Sequence, residues 1–460
     1  MSRYKAKKDK RVGAKMRNIV FDQNFHGIGQ GLFYSGKISI QSNKDTKRSF
    51  NFVYDCGSAS QKKHLYKEIE EYKKLKLQSK KLDLLMISHL HSDHVNGLDN
   101  LLSDIEVKNV VLPYLSPIER LILSVFYDKK RPNWYFEFLS NPTAFFRKRD
   151  VENIIYVSRG KDFETTPPKD SEGLSQKNEF LLEMNFEGMK HDEKKKEYAE
   201  KNDEVIDINV AFKKDGHPAK IFNLWNFYFY TSPIEEKKFE SFFNKVKILQ
   251  KKFSISEISY DLILEIIRDK IKREKLKKIY EEEISEDLNL TSMACLHGPI
   301  YLLPNIDFRS EIHFGIWPFP FIPPYHRIYK ELKFLYHELY HEWRHILHET
   351  KDFYIDRSHS FLTGDINSIS EWEGIEKRYA QLFRHIQSLQ VPHHGSRNNW
   401  NNKIPLDVGL CDYIISAGIR NRFKHPDLEV IKNISQNLSP DIIKWAHEHR
   451  SQINKKMFIL

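Results

Sequence analysis

The sequence predicts an α/β domain interrupted by large, mainly helical insertions. Three observations carry that reading. Short apolar runs such as LDLLMIS (82–88) stop abruptly at clusters of polar residues, as buried strands do where they leave a sheet. Lys- and Glu-rich stretches with leucine and tyrosine at helical spacing lie between those runs. The 460 residues hold two to three domains' worth of chain, yet no repeat period or linker divides them.

Paired strands are expected in NIVFDQNFHGIGQGLFYSGKISIQS (18–42) and SFNFVYDCGS (49–58), where β-rich runs are punctuated by glycines. Residues 61–80 read as a surface helix. LDLLMIS then empties into HLHSDHVNG, a short helix follows at LDNLLSDI, and VKNVVLPYL is a further strand. From 116 to 150 the pattern is helical and aromatic. Residues 161–205 are polar and charged, a loop or solvated helix. IDINVAFKK and KIFNLWNFYFYTS resume strand character, 233–287 read as two amphipathic helical stretches, and LTSMACLHGPIYLLP is strand again. The Pro-rich, aromatic GIWPFPFIPPY leads into a long helix over 325–350. FYIDRSHSFLTGDI is strand, ISEWEGIEKRYAQLFRHI helix, LQVPHHGS strand and loop, and DYIISAGIR strand. From PDLEVIKNIS onward the pattern is mainly helical.

Composition narrows the function classes. With 40% hydrophobic and 30% charged residues the chain has apolar material for a core and reads as a soluble globular protein. No stretch approaches the ~18 apolar residues of a membrane span, and the basic N-terminus runs into no apolar segment. Neither a membrane partner nor secretion is expected. The three cysteines, Cys56, Cys295 and Cys411, are too few and too scattered for a disulfide framework, so a reducing, cytoplasmic setting is expected. The first 17 residues carry eight Lys or Arg against one Asp, so most of the +10 net charge is a basic tail. Such a tail is either a solvated terminus or an arm for a polyanion such as nucleic acid.

The strongest chemical signal is His89-Leu90-His91-Ser92-Asp93-His94, four potential ligands within six residues on the loop after a buried strand. That density can serve two neighbouring cations. Asp365 in FLTGDI and the pair His393-His394 in LQVPHHGS also stand where strands run out. Each alone reads as a turn or polar loop. Together they place polar ligands at several strand ends of one sheet, as open α/β layers build sites. Arg397, and the run Arg420, Arg422, Lys424, His425, add cations suited to an anionic substrate.

These motifs resemble the metallo-β-lactamase superfamily, most of all the hydrolase domain of ComEC-type competence proteins and their stand-alone relatives. The landmarks run in that family's order: GIGQGLFY, FVYDCGS, ISHLHSDHVNG, NLTSMACL, FLTGDI, LQVPHHGS and ISAGIRNRFKHPDLEVI. The resemblance implies an αββα sandwich whose core is split over 18–110 and 288–436. Outside it fall the basic tail 1–17, a helical insertion at 111–160, and a charged loop with strands and helices at 161–287. A Pro/aromatic and His-rich helical insertion at 304–352 and a C-terminal extension at 437–460 complete the division.

The resemblance further implies two divalent metal ions, zinc or manganese. His89 and His91 would hold the first, Asp93 and His94 would begin the second, and Asp365 would bridge. His394, or less readily His393, would complete the second. Asp93, His94 and Asp55 take the catalytic assignments, Asp55 as a buried acid orienting the histidine loop. His393, Ser396, Arg397, Arg422, Lys424 and His425 would meet substrate. Two cations would lower the pKa of a bridging water from ~15.7 toward ~7, giving hydroxide at neutral pH. No histidine stands near Tyr230 and Thr231, where many members place a third ligand for the first metal; Asn289 or Ser292 would help there.

The expected activity is a metal-dependent phosphodiesterase or nuclease acting on DNA, RNA or a nucleotide. The alternatives are a hydrolase of a lactone, thioester or amide, or a non-catalytic binding module. A stand-alone ComEC-like hydrolase with helical insertions would suit bacterial antiviral defence, the insertions offering a surface to a protein partner. A competing motif is His337-Glu338-Leu339-Tyr340-His341, which matches the HExxH zinc signature. Such matches arise easily in a helix rich in His and Glu, and no third-ligand motif follows it.

Overall fold

The structure is a computed structural model. It describes residues 18–41, 48–77, 79–115, 117–125, 132–158, 184–186, 189–190, 210–214, 218–221, 224–232, 244–245, 265–266, 268–283, 291–300, 308–313, 357–419, 421–448 and 451–459. The basic tail, Asn289, Arg420, the 325–350 helix and the HExxH motif lie outside the described residues.

Two sheets stack face to face. The strands are β1 (Asn18–Phe25), β2 (Gly31–Gln41), β3 (Arg48–Ser58), β4 (Lys81–Met86), β5 (Glu106–Pro113), β6 (Asn153–Ser158), β7 (Met184–Phe186), β8 (Met189–Lys190) and β9 (Val210–Lys214). They continue with β10 (Ala219–Ile221), β11 (Trp225–Thr231), β12 (Met293–Pro299), β13 (Phe308–His313), β14 (His359–Leu362), β15 (Ile386–Gln390), β16 (Asp412–Ser416), β17 (Ile443–Ala446) and β18 (Ile453–Ile459). The first sheet runs β13-β18-β1-β2-β3-β4-β5-β6-β9-β8 and the second β17-β16-β15-β14-β12-β11-β10-β7. From β3 to β9 the first sheet's pairs are parallel, as are those from β14 to β17 in the second.

Three buried apolar clusters make four layers. Between the sheets lie Phe21, Phe50, Phe52, Met86, Trp225, Phe227, Phe229, Cys295 and Ile414. The first sheet's outer face packs Leu82, Val110 and Ile154 on Leu65, Ile69 and Phe145 of helices. The second sheet's outer face packs Ala294, Phe361 and Ile415 on Trp372, Ile375 and Val430. Strand periodicity produces this: in β11, Trp225, Phe227 and Phe229 face inward while Tyr228 and Tyr230 face the helix layer. This is the αββα sandwich.

The sheets reach beyond the expected core boundaries. β6, β9, β10 and β11 are integral strands although they fall in stretches read as insertions, and β13 adds an edge strand within 304–352. β7 and β8 place strands within the charged 161–205 segment. The C-terminal residues, read as a mainly helical extension, supply β17 and β18, the latter pairing with β1 along seven register positions. Short strands at sheet edges carry weak local patterns, and their pairing depends on a distant partner.

A buried polar chain crosses between the sheets. Trp225 Nε1–H donates to His297 Nδ1 at 3.3 Å, and Tyr34 Oη lies 3.1 Å from His297 Nε2. Tyr34 in turn donates to Gln23 Oε1 at 3.0 Å. A neutral imidazole satisfies both neighbours, and burial drops the His297 pKa from 6.5 to about 3. Below pH 6.5 the unfolded chain takes up a proton that folded His297 refuses. Its contribution is therefore fully present above 6.5 and is lost as pH falls toward 3. At pH 5 the loss is about 2 kcal/mol. Urea unfolding of His297→Gln at pH 7 and pH 5 should show a weaker pH dependence than the natural chain; an equal slope would contradict this.

Candidate metal centre

The histidine loop is seated by close backbone packing. Gly97 N–H donates to Cys56 O at 2.8 Å, while Asn96 bonds Ser58 through both its amide atoms. A Cβ on Gly57 would lie 2.5 Å from the His94 carbonyl carbon and the Val95 nitrogen, so only glycine lets β3 end against this loop.

Asp55 reaches the loop through a β-bulge. In the β2–β3 pairing Phe33 faces Cys56 and Tyr34 faces Tyr54, which leaves Asp55 unpaired at φ 56°. Its buried carboxylate accepts from Ser88 N at 2.7 Å, Ser88 Oγ at 2.6 Å and His94 Nδ1 at 2.7 Å. Because Ser88 Oγ donates to Asp55, it accepts from His89 Nδ1 at 2.8 Å. Both histidines thereby carry their proton on Nδ1 and turn the Nε2 lone pair outward. His394 does likewise, its Nδ1 bonding Ser416 O at 2.7 Å.

The second sheet brings the rest. After β14, Gly364 turns at φ 57°, and Gln390 Oε1 accepts from the Thr363 and Gly364 amides. After β15, His393, His394 and Gly395 take consecutive left-handed conformations at φ 47°, 58° and 83°. His393 N–H donates to Gly364 O at 3.1 Å, joining the two turns. Such backbone is costly for a histidine and marks sites where geometry is imposed.

All six expected ligand residues gather here. Asp93, His94, Asp365 and His394 offer ligand atoms that all lie within 4.8 Å of one another. Asp365 Oδ1 sits 3.2 Å from His94 Nε2 and 3.4 Å from His394 Nε2, while Asp93 Oδ2 is 3.9 Å from His394 Nε2. Its other oxygen, Oδ2, is 3.8 Å from His89 Nε2 and 3.9 Å from His393 Nε2. The His91 ring centroid lies 4.6 Å from that of His89. His393 thus stands outside the four-residue cluster and faces the other carboxylate oxygen.

The donor set fits divalent cations. The Nε2 atoms of His89, His94 and His394 and Asp365 Oδ1 are buried without a hydrogen-bond partner. Four orphaned acceptors facing one another would be costly unless a cation satisfied them. Electrostatics shows the same demand for positive charge. Burial pushes His94 down, but Asp365 and Asp55 outweigh it and hold His94 well above the ordinary range. Burial pushes Asp365 up, but His394, His94 and His393 hold it well below. Burial lowers His89, His91 and His394 and raises Asp55.

Residues 46–132 match the family model of the Metallo-beta-lactamase superfamily. The chain has the metallo-β-lactamase fold, and the matched residues carry the histidine loop. That family consists generally of metal-dependent hydrolases. Solved structures with a similar arrangement include a long form RNase Z from yeast, 14% identical, covering 30% of this chain and 17% of that one at a TM-score of 0.17. The metallo-beta-lactamase fold protein YhfI from Bacillus subtilis is 11% identical, covering 46% of this chain and 54% of its own, TM-score 0.18. MEM-A1, a subclass B3 metallo-beta-lactamase from a soil metagenome library, is 13% identical, covering 46% and 52%, TM-score 0.17. The chain spans between 17% and 54% of the length of these structures. No curated protein matches it. Among the described residues no helix is long and apolar enough to cross a membrane.

The residues expected to meet substrate differ in burial and contacts. Ser396 is buried, its amide bonding His393 O at 3.0 Å. Arg397 is exposed and lies 3.8 Å from Glu429. Arg422 and Lys424 are exposed on a loop braced by Asn421, with the Arg422 guanidinium 4.7 Å from the Phe423 ring centre. His425 is half-buried, its ring 6.0 Å from that of His393, and burial together with the His394 and His393 charges lowers its pKa to about 4. Ser292 Oγ is buried without a hydrogen-bond partner. Sequence reasoning missed Ser88, Gln390 and the Ser416 carbonyl, which orient ligands; only Ser88, abutting His89, carried a local signal.

Proposed function

We propose that the chain is a metal-dependent phosphodiesterase or nuclease of the ComEC-like type, acting on DNA, RNA or a nucleotide in the cytoplasm. The observation that carries this reading is a cluster demanding cations, with exposed Arg397 three residues after its His394 and exposed Arg422 and Lys424 on the loop whose His425 ring lies 6.0 Å from that of His393. The Arg397–Glu429 pair is surface-exposed and of little worth, so a phosphate can displace it. His89, His91 and Asp365 would hold one divalent cation, zinc or manganese, and Asp93, His94, Asp365 and His394 the other. Divalent cations in such a site supply Lewis acidity toward a phosphoryl oxygen and lower the pKa of coordinated water from ~15.7 toward ~7.

The chain's own residues do the rest. Asp55 and Ser88 hold His94 and His89 in the tautomer that presents Nε2. The arginine forks grip phosphate oxygens and fix the scissile group.

The test is incubation of the full chain with labelled single- and double-stranded DNA and RNA in Mn²⁺, Zn²⁺ or chelator. Cleavage that needs the metal is expected; no cleavage of any form would favour the lactone, thioester or amide hydrolase. Affinity should also fall with salt at a log–log slope near −0.9 per duplex phosphate neutralised, or about −0.7 for single strands. Deleting residues 1–17 should weaken binding and flatten that slope, and salt-independent binding would contradict a polyanion substrate.

A further inference from the structure

The Asp365 carboxylate divides four imidazoles between its two oxygens. His94 and His394 face Oδ1 at 3.2 and 3.4 Å, and His89 and His393 face Oδ2 at 3.8 and 3.9 Å. Ligands bound at adjacent positions on one small cation lie about 3.4 Å apart when each bond is ~2.1 Å. The Oδ1 group already has that spacing. The Oδ2 group is wider by roughly half an ångström, within reach of side-chain tightening around a charge.

His393 is not held by chance. Its backbone sits at φ 47° and ψ 46°, between a donated bond to Gly364 O and a received bond from Ser396 N. Those two bonds anchor the turn from both sides, next to Asp365. The half-buried His425 backs its ring. Meanwhile β11 ends at Thr231 and Ser232, so that strand end offers the site no imidazole.

We infer that His393 is a ligand of the first cation, on the Oδ2 side with His89 and His91, rather than a substrate contact or an alternative to His394. The adjacent pair His393-His394 thus serves both metals, one imidazole each, on opposite sides of Asp365. This rests on the reading of the cluster as a two-cation site.

The experiment is cobalt(II) titration of the metal-free full chain, followed by calorimetry and visible absorption. Three proteins are compared: the natural chain, His393→Asn, which tolerates the left-handed backbone, and His393→Cys. The natural chain should bind two cations. In His393→Asn one should remain tight while the other weakens about tenfold or more, with circular dichroism unchanged. His393→Cys should restore two-site binding and add a thiolate-to-cobalt charge-transfer band in the near ultraviolet, which no merely structural role of position 393 can produce. Two tight sites in His393→Asn, with no such band in His393→Cys, would overturn the inference and leave the two-cation reading standing. A natural chain that takes up no cobalt would overturn both.

Discussion

Asp93→Ala and His94→Ala should abolish hydrolysis, with a loss of at least about a hundredfold, the upper range seen when even outer partners of metal ligands are removed. Both residues present atoms to the Asp93–His94–Asp365–His394 cluster. Neither sits in an apolar cluster, so the sandwich should remain folded by circular dichroism. His337→Ala should leave turnover nearly unchanged, because HExxH lies in a separate stretch of sequence. Full activity in His94→Ala with loss in His337→Ala would move the chemistry to that motif.

Asp55→Asn should be almost as damaging although residue 55 is fully buried. The carboxylate accepts from three donors, Ser88 N, Ser88 Oγ and His94 Nδ1. An amide has one acceptor oxygen, so at least one donor is left unmatched, at about 1–3 kcal/mol. If the amide nitrogen faces His94, the imidazole must turn its proton to Nε2, where a cation needs a lone pair. Metal affinity should fall about 10- to 100-fold. Calorimetric cation binding measures this directly, and unchanged affinity would refute the orienting role.

Much of the site was legible before folding. His89 to His94 lie within six residues, and Asp365 and His393-His394 each follow an apolar run that ends at a glycine or proline turn. Strand ends are readable because burial forces continuous apolarity and release to solvent ends it. The peripheral strands were less legible. β6 and β13 lie beside or within stretches dominated by helical, aromatic or charged patterns, whereas β9 falls in IDINVAFKK, which reads as strand. β18, INKKMFI, carries two lysines. Of these, Lys455 is buried against Asp412 and Ser388, a pairing across 43 and 67 positions that no local window contains.

The sequence by itself determined the ligand types and their placement at strand ends, because both follow from local polarity and periodicity, while the αββα layering was implied only through the family resemblance that its motifs carry. Only the tertiary structure decided which imidazole faces which oxygen of Asp365. It also decided that Asp55 is turned toward His94 by a bulge, and that His393 and His394 both reach Asp365, one at each carboxylate oxygen. Adjacent residues in a strand-like reading point to opposite faces, whereas consecutive left-handed dihedrals rotate both into one centre. Those dihedrals are imposed by Gly364, Gly395 and the turns they join, which meet only after β14 and β15 have paired. Side-chain direction at such turns is a property of the closed sheet, not of the residues that form it.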